Sequence, residues 1–295
     1  MKKTNLLFIV ITALMLLPSL MFGQVTTSSM NGRVTDLSKN VLPGATVIAT
    51  HGPSGTQYGT ITNADGWFNL QGMRTGGPYL VEVSYIGYST EKYSDITLYL
   101  GQTFVLNAAL KPGSVELGEI MIVGQRASAF QADKTGASIN ISNQEISTMP
   151  TINRSIQDIA RLSPYANGMS FAGGDGRSTN FTVDGANFNN NFGLSSNLPG
   201  GGNPISLDAI EEVQVVVAPF DVRQTNFIGG GINAITKSGT NTFKGSLYTY
   251  YKNQDMRGNK IGDVDFGVRD AESVKTYGLS LGGPIIKNKV FFFVN

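Results

Sequence analysis

The sequence predicts a mainly β protein, and three observations support that fold class. Glycine accounts for 36 of the 295 residues, well above the roughly 7% typical of proteins. Hydrophobic residues make up 41% of the chain, which is enough apolar material for folded cores. Apolar and polar residues also alternate with the period of two that β-strands require. Because glycine weakens helices, this composition disfavours a helical bundle.

The N-terminal segment 1–23 is predicted to be a secretory signal peptide. Two lysines precede an apolar run from Leu6 to Leu17, and a small residue, Gly23, comes before a polar stretch. This order of charged, apolar and small residues is typical of an exported protein. A transmembrane anchor is the alternative, but the apolar stretch is at the short limit for a span and is interrupted by Pro18. We therefore expect export from the cytoplasm.

The composition excludes several functional classes. The chain has no cysteine and one histidine, His51, so a zinc–thiolate site, a cysteine nucleophile and a multi-histidine metal site are ruled out. His51 precedes Gly52-Pro53 and is interpreted as a solvated loop residue rather than a ligand. The formal net charge of +1 argues against non-specific binding to nucleic acid. We expect a non-enzymatic protein without a cofactor or metal, and no nucleic-acid partner.

Residues 24–112 are predicted to form a small β-sandwich. The segments 45–49, 79–85 and 104–110 each place apolar residues at every second position. Turn-forming residues separate these segments at roughly the 8–12-residue spacing of sandwich strands. Among them, Asp65-Gly66 is expected to form a hairpin turn rather than a calcium site, because no cluster of Asp or Asn surrounds it.

The next segment, 113–128, is predicted to be a linker that carries a short strand. Its candidate residues are Glu119, Ile120, Met121, Ile122 and Val123. A strand of this kind can pair with an open sheet edge through main-chain hydrogen bonds. An ordinary edge or linker strand is the alternative.

The region 129–241 combines short helices with strands. Ser142-Asn143-Gln144-Glu145 fits a capping box that starts a helix ending at Pro150, and isoleucines at helical spacing before Pro164 predict a second helix. A strand and turn are expected at 181–185, and a short helix running into a strand at 209–217. The glycine-rich run before Lys237 is not a phosphate loop, because Thr236 occupies the position that requires glycine.

Motifs in a fixed order give the chain a family resemblance. Those of the first region resemble the carboxypeptidase regulatory-like domain: Gly32-Arg33-Val34-Thr35, Leu42-Pro43-Gly44-Ala45, Thr62 to Phe68, and Ser84 to Tyr88. The motifs of residues 129–241 resemble the plug domain of TonB-dependent outer-membrane receptors: Met149-Pro150-Thr151, Arg154-Ser155, Thr182-Val183-Asp184-Gly185, Ile210-Glu211-Glu212-Val213, and Gly230 to Gly239. Together with Ala218-Pro219-Phe220-Asp221-Val222-Arg223 and the regulatory-like module, they resemble the Oar-like branch of that family.

Several functional expectations follow from this resemblance. It implies that Glu119 to Val123 is a TonB box, which pairs with the energy-transducing protein TonB. It implies a further partner in outer-membrane lipid and an unidentified ligand of the peptide, glycan or siderophore class. Candidate ligand contacts are the outward-facing loop residues Phe188, Asn189, Asn190, Asn191 and Phe192, for which a plain solvated loop is the alternative.

After Thr242 the pattern changes to longer amphipathic strands, interpreted as the start of an outer-membrane β-barrel over 242–295. The eight residue steps from Phe243 to Tyr251 span about 26 Å, close to the ~25 Å apolar band of such barrels. A second strand at 277–281 is expected to end at Gly282-Gly283-Pro284, with a turn at Lys287-Asn288-Lys289. Strands of a soluble sandwich are the alternative.

The predicted fold class is therefore mainly β: a signal peptide, a small β-sandwich, a mixed α/β plug domain and the first strands of an incomplete transmembrane barrel. Because an open sheet cannot stand in lipid, we expect a fragment of a larger receptor or a truncated gene product. The expected function is ligand binding and gated, energy-coupled uptake at the outer membrane, with the sandwich and plug on the periplasmic side. The alternative is a secreted or surface-attached, non-catalytic β-sandwich binding protein.

Overall fold

The computed structural model describes residues 25–113, 120–123, 137–151, 154–189, 198, 204–218, 224, 228–268 and 270–295. The predicted signal peptide lies outside them. Along the chain, a region of β-strands is followed by a mixed α/β region and then by long antiparallel strands. The mainly β fold class is confirmed.

The N-terminal region contains two β-sheets that share one core. In the first, β1 pairs with β4, β7 and β8, and the second has the order β3-β2-β5-β6-β9. The strands are Ser28–Asp36 (β1), Thr46–His51 (β2), Thr56–Ile61 (β3), Trp67–Met73 (β4), Gly76–Ser84 (β5), Glu91–Leu98 (β6), Thr103–Val105 (β7), Ala108–Leu110 (β8) and Ile120–Val123 (β9).

The core of this sandwich follows the alternation predicted from the sequence. Val47, Val81 and Val83 are fully buried, and Tyr79 is 1% exposed. Their intervening neighbours are at most half-buried, as the burial patterns of β2 and β5 show. At roughly 1.5–3 kcal/mol for each fully buried large apolar side chain, this face supplies the main stabilisation of the region.

Two expectations for this region were wrong. His51 is not a solvated loop residue: it ends β2, is 6% exposed and packs its ring against Tyr79 with centroids 4.9 Å apart. The turn at Asp65-Gly66 joins β3 to β4, which lie in different sheets, so it is not a hairpin. The Asn63 side chain closes this turn by accepting hydrogen bonds from the backbone N–H groups of Asp65 and Trp67.

The second region is built around a sheet with the order β10-β15-β16-β13-β14. Its strands are Ala137–Ser142 (β10), Asn180–Val183 (β13), Ala186–Asn187 (β14), Ile210–Val217 (β15) and Gly230–Thr236 (β16), with the small pair Ala166–Asn167 (β11) and Ser170–Phe171 (β12) outside it. Two short helices, Asn143–Thr148 (α1) and Ile156–Ala160 (α2), cover its apolar face.

Local capping signals set the starts of both helices. The predicted capping box at Ser142 is confirmed, because its side chain accepts from the Glu145 N–H while the Glu145 side chain accepts from the Ser142 N–H. A second capping box, between Ser155 and Asp158, starts α2. Each box satisfies backbone donors that have no partner inside the helix.

The C-terminal region is an antiparallel sheet with the order β17-β20-β21. Its strands are Lys244–Asn253 (β17), Ser273–Ile286 (β20) and Val290–Val294 (β21), and a small pair, Lys260–Ile261 (β18) and Val264–Asp265 (β19), lies between β17 and β20 in sequence. The predicted turn at Lys287 to Lys289 is confirmed.

The expectation that the second strand ends at Gly282 to Pro284 was wrong. β20 continues through these residues, and its ladder with β21 becomes irregular only after Pro284. Two aromatic rings pack against these glycines: a Cβ at Gly283 would meet the Phe243 ring, and one at Gly282 would come within 2.9 Å of the Phe293 ring. The missing side chains therefore leave room for the rings, and the glycines do not mark the end of the strand.

Candidate functional site

The predicted TonB-box segment forms a strand on the edge of the sandwich. Ile120–Val123 is β9, which pairs in parallel with β6 and places Ile120 beside Glu91 and Val123 beside Ser94. Glu119 lies outside the described residues. The segment therefore adds to a sheet edge by main-chain pairing, the property for which it was singled out.

The candidate ligand loop is described only at its start. The Asn189 side chain accepts from the Phe181 N–H at 2.6 Å and donates to the Asn180 side chain at 2.8 Å. The Phe188 ring is 36% exposed and meets the Phe181 ring edge-on, with centroids 6.4 Å apart. Asn189 thus links the start of the loop to β13 by hydrogen bonds, while the Phe188 side chain remains partly exposed. Asn190, Asn191 and Phe192 lie outside the described residues.

One face of the C-terminal sheet is apolar and exposed. Leu247 on β17 is 82% exposed, and its cross-strand partner Leu279 on β20 is 62% exposed. The exposed apolar side chains that share this face are Phe243, Leu247, Tyr251, Tyr277, Leu279 and Leu281. An apolar band bordered by aromatic rings suits contact with lipid.

The opposite face of this sheet contacts the second region. The Arg154 guanidinium lies over the Tyr250 ring at 4.5 Å and over the Tyr248 ring at 5.4 Å. Arg154 also forms an ion pair with Asp208 at 2.8 Å, and the Tyr248 hydroxyl lies 2.9 Å from the Ser206 hydroxyl. Sequence reasoning missed this cluster, because no local pattern links Arg154 to tyrosines more than 90 residues away.

A cleft of about 630 Å³ opens where the three regions meet. Its lining includes three cationic residues, Arg74, Lys237 and Lys244, together with Asp184 and Glu211.

Two of these charges already have partners inside the chain. The Asp184 carboxylate accepts from the N–H and the hydroxyl of Thr236, and Arg74 donates to the Ser238 hydroxyl.

His51 also lines this cleft but is poorly suited to proton transfer near neutral pH. Burial lowers its pKa to about 4, and the Arg74 cation acts in the same direction. Its Nδ1 atom lies 2.7 Å from the Ser54 hydroxyl. Within the described part of the chain, no group of three His, Cys, Asp or Glu side chains is arranged to hold a metal ion.

No helix in the described ranges is both long enough and apolar enough to cross a membrane.

Comparison with protein families identifies two parts of the chain. Residues 29–111 match the carboxypeptidase regulatory-like domain, and residues 235–295 match an outer membrane beta barrel domain. The exposed apolar face described above lies within the second match. The limits of the regions between 111 and 235, including the linker at 113–128 and the plug at 129–241, stay predictions.

The chain is 26% identical over 307 aligned positions to the TonB-dependent transporter Oar of Myxococcus xanthus, with 97% of this chain covered. It spans 28% of that transporter's length. The predicted resemblance to TonB-dependent receptors is confirmed, and the protein is located in the outer membrane.

Solved structures with partial similarity include siderophore receptors. The receptor PirA from Pseudomonas aeruginosa matches with 22% identity and a TM-score of 0.39, covering 54% of this chain and 26% of the receptor. PirA from Acinetobacter baumannii matches with 22% identity and a TM-score of 0.40, covering 52% and 23%.

Proposed function

We propose that this chain is the N-terminal portion of a TonB-dependent outer-membrane receptor, in which a plug closes a barrel until energy is supplied. The observation that carries the proposal is the two-sided C-terminal sheet. Its outer face presents apolar side chains to lipid, while Tyr248 and Tyr250 on its inner face hold Arg154. A wall that meets lipid outside and polar contacts inside is what a gated barrel requires.

The contacts that Arg154 makes with the tyrosines of β17 and with Asp208 are suited to repeated breaking and re-forming. Arg154 and Asp208 are both partly exposed, with side-chain exposures of 31% and 24%. Partly hydrated ion pairs and cation–π contacts contribute on the order of 1 kcal/mol each. Such contacts orient a plug against its wall without fixing it permanently.

The same proposal assigns TonB binding to Glu119 to Val123. The pairing of β9 with β6 supports this role, because main-chain groups that pair with one edge strand can pair with a strand of another protein. The sandwich and plug would then face the periplasm, where TonB reaches the outer membrane.

On the other side of the plug, we assign ligand contact to the loop Phe188 to Phe192. The ligand would be a siderophore, glycan or peptide, and the half-open ring of Phe188 would provide an apolar contact. The receptor would bind its ligand and let it pass without making or breaking a covalent bond, so the proposed protein is not an enzyme.

The secreted β-sandwich binding protein is the weaker reading. A sheet in water rarely exposes a contiguous set of large apolar side chains, whereas Leu247, Leu279 and Tyr277 are each more than half exposed. This observation favours the receptor.

TonB capture by outer-membrane preparations of the full-length receptor tests the proposed function. Ile122→Pro removes a backbone N–H and restricts the chain, so we expect capture by the TonB C-terminal domain to fall at least tenfold. Ile122→Leu keeps the N–H and an apolar side chain, and should be captured like the wild type. Equal capture of the proline variant and the wild type would reject the assignment of the TonB box.

A further inference from the structure

The loop that follows β6 contacts the second region through the backbone of one buried residue, Leu100. Leu100 is fully buried, and its N–H donates to both carboxylate oxygens of Glu212, at 3.0 and 3.1 Å. Its carbonyl accepts from the Asn140 amide at 3.1 Å and from the Gln214 amide at 2.7 Å. The backbone N–H and C=O groups of Leu100 are therefore both satisfied by side chains of the plug region.

These side chains belong to a polar row that crosses the plug sheet. Asn140, Gln214, Asn233 and Thr182 occupy directly paired positions on β10, β15, β16 and β13. Asn233 donates to Gln214 at 3.2 Å, and the Thr182 hydroxyl donates to Asn233 at 2.8 Å. Gln102 of the same sandwich loop donates to Asn140 at 2.7 Å.

The row has the arrangement expected of an interface between two folded bodies. The alternate residues of the same strands, including Ile141, Val213, Val215 and Ile232, belong to the apolar core on the other face of the sheet. The polar face is nevertheless buried: Gln214 is 3% exposed. A buried polar face is stable only when its donors and acceptors are paired, and the sandwich loop provides part of that pairing.

Burying the Glu212 carboxylate at this interface costs free energy. It is 3% exposed, and Asn140 donates to its Oε1 atom at 2.7 Å. Burial raises its pKa to about 7, and the carboxylates of Glu211 in β15 and Glu145 in α1 act in the same direction. The hydrogen bonds from Asn140 and from the Leu100 N–H oppose the shift.

We propose that the polar face of the plug sheet is a releasable docking site for the sandwich, occupied by the Tyr99 to Gln102 loop and dependent on Glu212 as its positioning residue. Docking is released when the face separates from the loop and Glu212 regains water. The apolar core of the sandwich is independent of this contact and remains folded after release.

The position of β10 links docking to plug movement. β10 is the edge strand of the plug sheet and the first described plug element after β9. Displacing β10 removes Asn140, which binds both the Leu100 carbonyl and Glu212. The docked sandwich therefore restrains β10, and, if the proposed function holds, it resists a pull transmitted from the TonB-binding segment.

Hydrogen exchange on the full-length receptor in detergent tests docking without TonB, so its outcome is distinct from that of the capture experiment. Glu212→Ala removes both acceptors of the Leu100 N–H, and we expect exchange in 99–102 to be at least tenfold faster, with faster exchange in β10. Glu272→Ala, which removes a carboxylate outside the plug sheet that is paired with Arg257, is the control and should stay within about threefold of the wild type. Unchanged exchange in 99–102 of Glu212→Ala would overturn the proposal, as would loss of protection in β5.

The pH dependence gives a second test in the unmodified protein. The docked pKa of about 7 lies above the ordinary value of 4.5, so the docked state binds the proton more tightly. Docking is therefore strongest below about pH 4.5 and weakens as the pH rises through 7. Exchange in 99–102, corrected for the intrinsic rate, should accelerate at least tenfold between pH 5 and pH 8. Glu212→Gln should remove this slope, and an equal slope in that variant would contradict the proposal.

Discussion

The N-terminal sandwich and the C-terminal sheet use the same alternation of apolar and polar residues for opposite purposes. In the sandwich, the apolar face of β5 carries Val81 and Val83, both fully buried. In the C-terminal sheet, the apolar face of β17 carries Leu247, which is 82% exposed. A period of two identifies two different faces of a strand, and the surroundings decide which of them is the interior.

The difference also appears in what each region does with polar side chains. The polar neighbours in the sandwich are partly exposed, whereas Tyr248 and Tyr250 on the polar face of β17 contact Arg154 of the second region. The apolar face of the C-terminal sheet is thus exposed, whereas that of the sandwich is buried, and the C-terminal sheet lies in the part of the chain that matches an outer membrane beta barrel domain.

Among the substitutions that test this comparison, the largest effect on stability is expected from a charge in the sandwich core. Val81→Asp places a carboxylate at a fully buried position, which costs about 4 kcal/mol or more because no partner is available to the charge. We expect amide protection to be lost throughout β2, β5 and β6 in a hydrogen-exchange measurement, while β17 and β20 keep theirs. Wild-type protection in β5 would show that this face is not the core.

Replacing an exposed aliphatic residue by arginine should have different effects on a strand face that contacts lipid and on one that contacts water. Leu247→Arg is expected to weaken insertion into vesicles by about 2–4 kcal/mol, if the residue lies near the middle of the bilayer. Ile61→Arg is the matched control, because Ile61 on β3 is 67% exposed but faces water, where surface changes alter stability by about 0.5 kcal/mol or less. Equal insertion of the two variants would break the comparison.

A smaller effect is expected from adding one methyl group to a strand glycine. A Cβ at Gly278 would overlap the Tyr248 ring, whereas a Cβ at Gly59 in β3 would meet its nearest neighbour, the Val47 carbonyl oxygen, only at 4.0 Å. We expect Gly278→Ala to cost about 1–3 kcal/mol through displacement of the ring.

The matched Gly59→Ala variant should be close to neutral. Denaturant midpoints of the folded protein measure both changes, and a Gly278→Ala midpoint equal to that of the wild type would show that the Tyr248 ring does not pack against Gly278 of β20.

Sequence reasoning succeeded where the signal is local. The capping box at Ser142 depends on residues three positions apart, and the side chains form both predicted hydrogen bonds. The alternation in β2 and β5 likewise predicted the buried residues. The family resemblance added the order of the regions, because several motifs occurred together along the chain.

The errors arose where a local signal was overridden by a distant neighbour. Gly282-Gly283-Pro284 has the composition of a turn, but rings of Phe243 and Phe293 occupy the space over its glycines and the strand continues. His51 stands beside Gly52-Pro53, yet Tyr79 of another strand buries it. Neither neighbour is visible from the residues adjacent in sequence.

By itself, the sequence determined the secondary-structure periods, the helix starts and the order of regions that resembles an outer-membrane receptor, because each of these depends on short-range spacing or motif order. Only the tertiary structure decided which faces are buried, and which polar groups meet. Leu100 and Glu212 are 112 residues apart, and their hydrogen bonds exist because two separately folded sheets approach each other. Contacts of this kind depend on the geometry of the assembled chain, which no local pattern records.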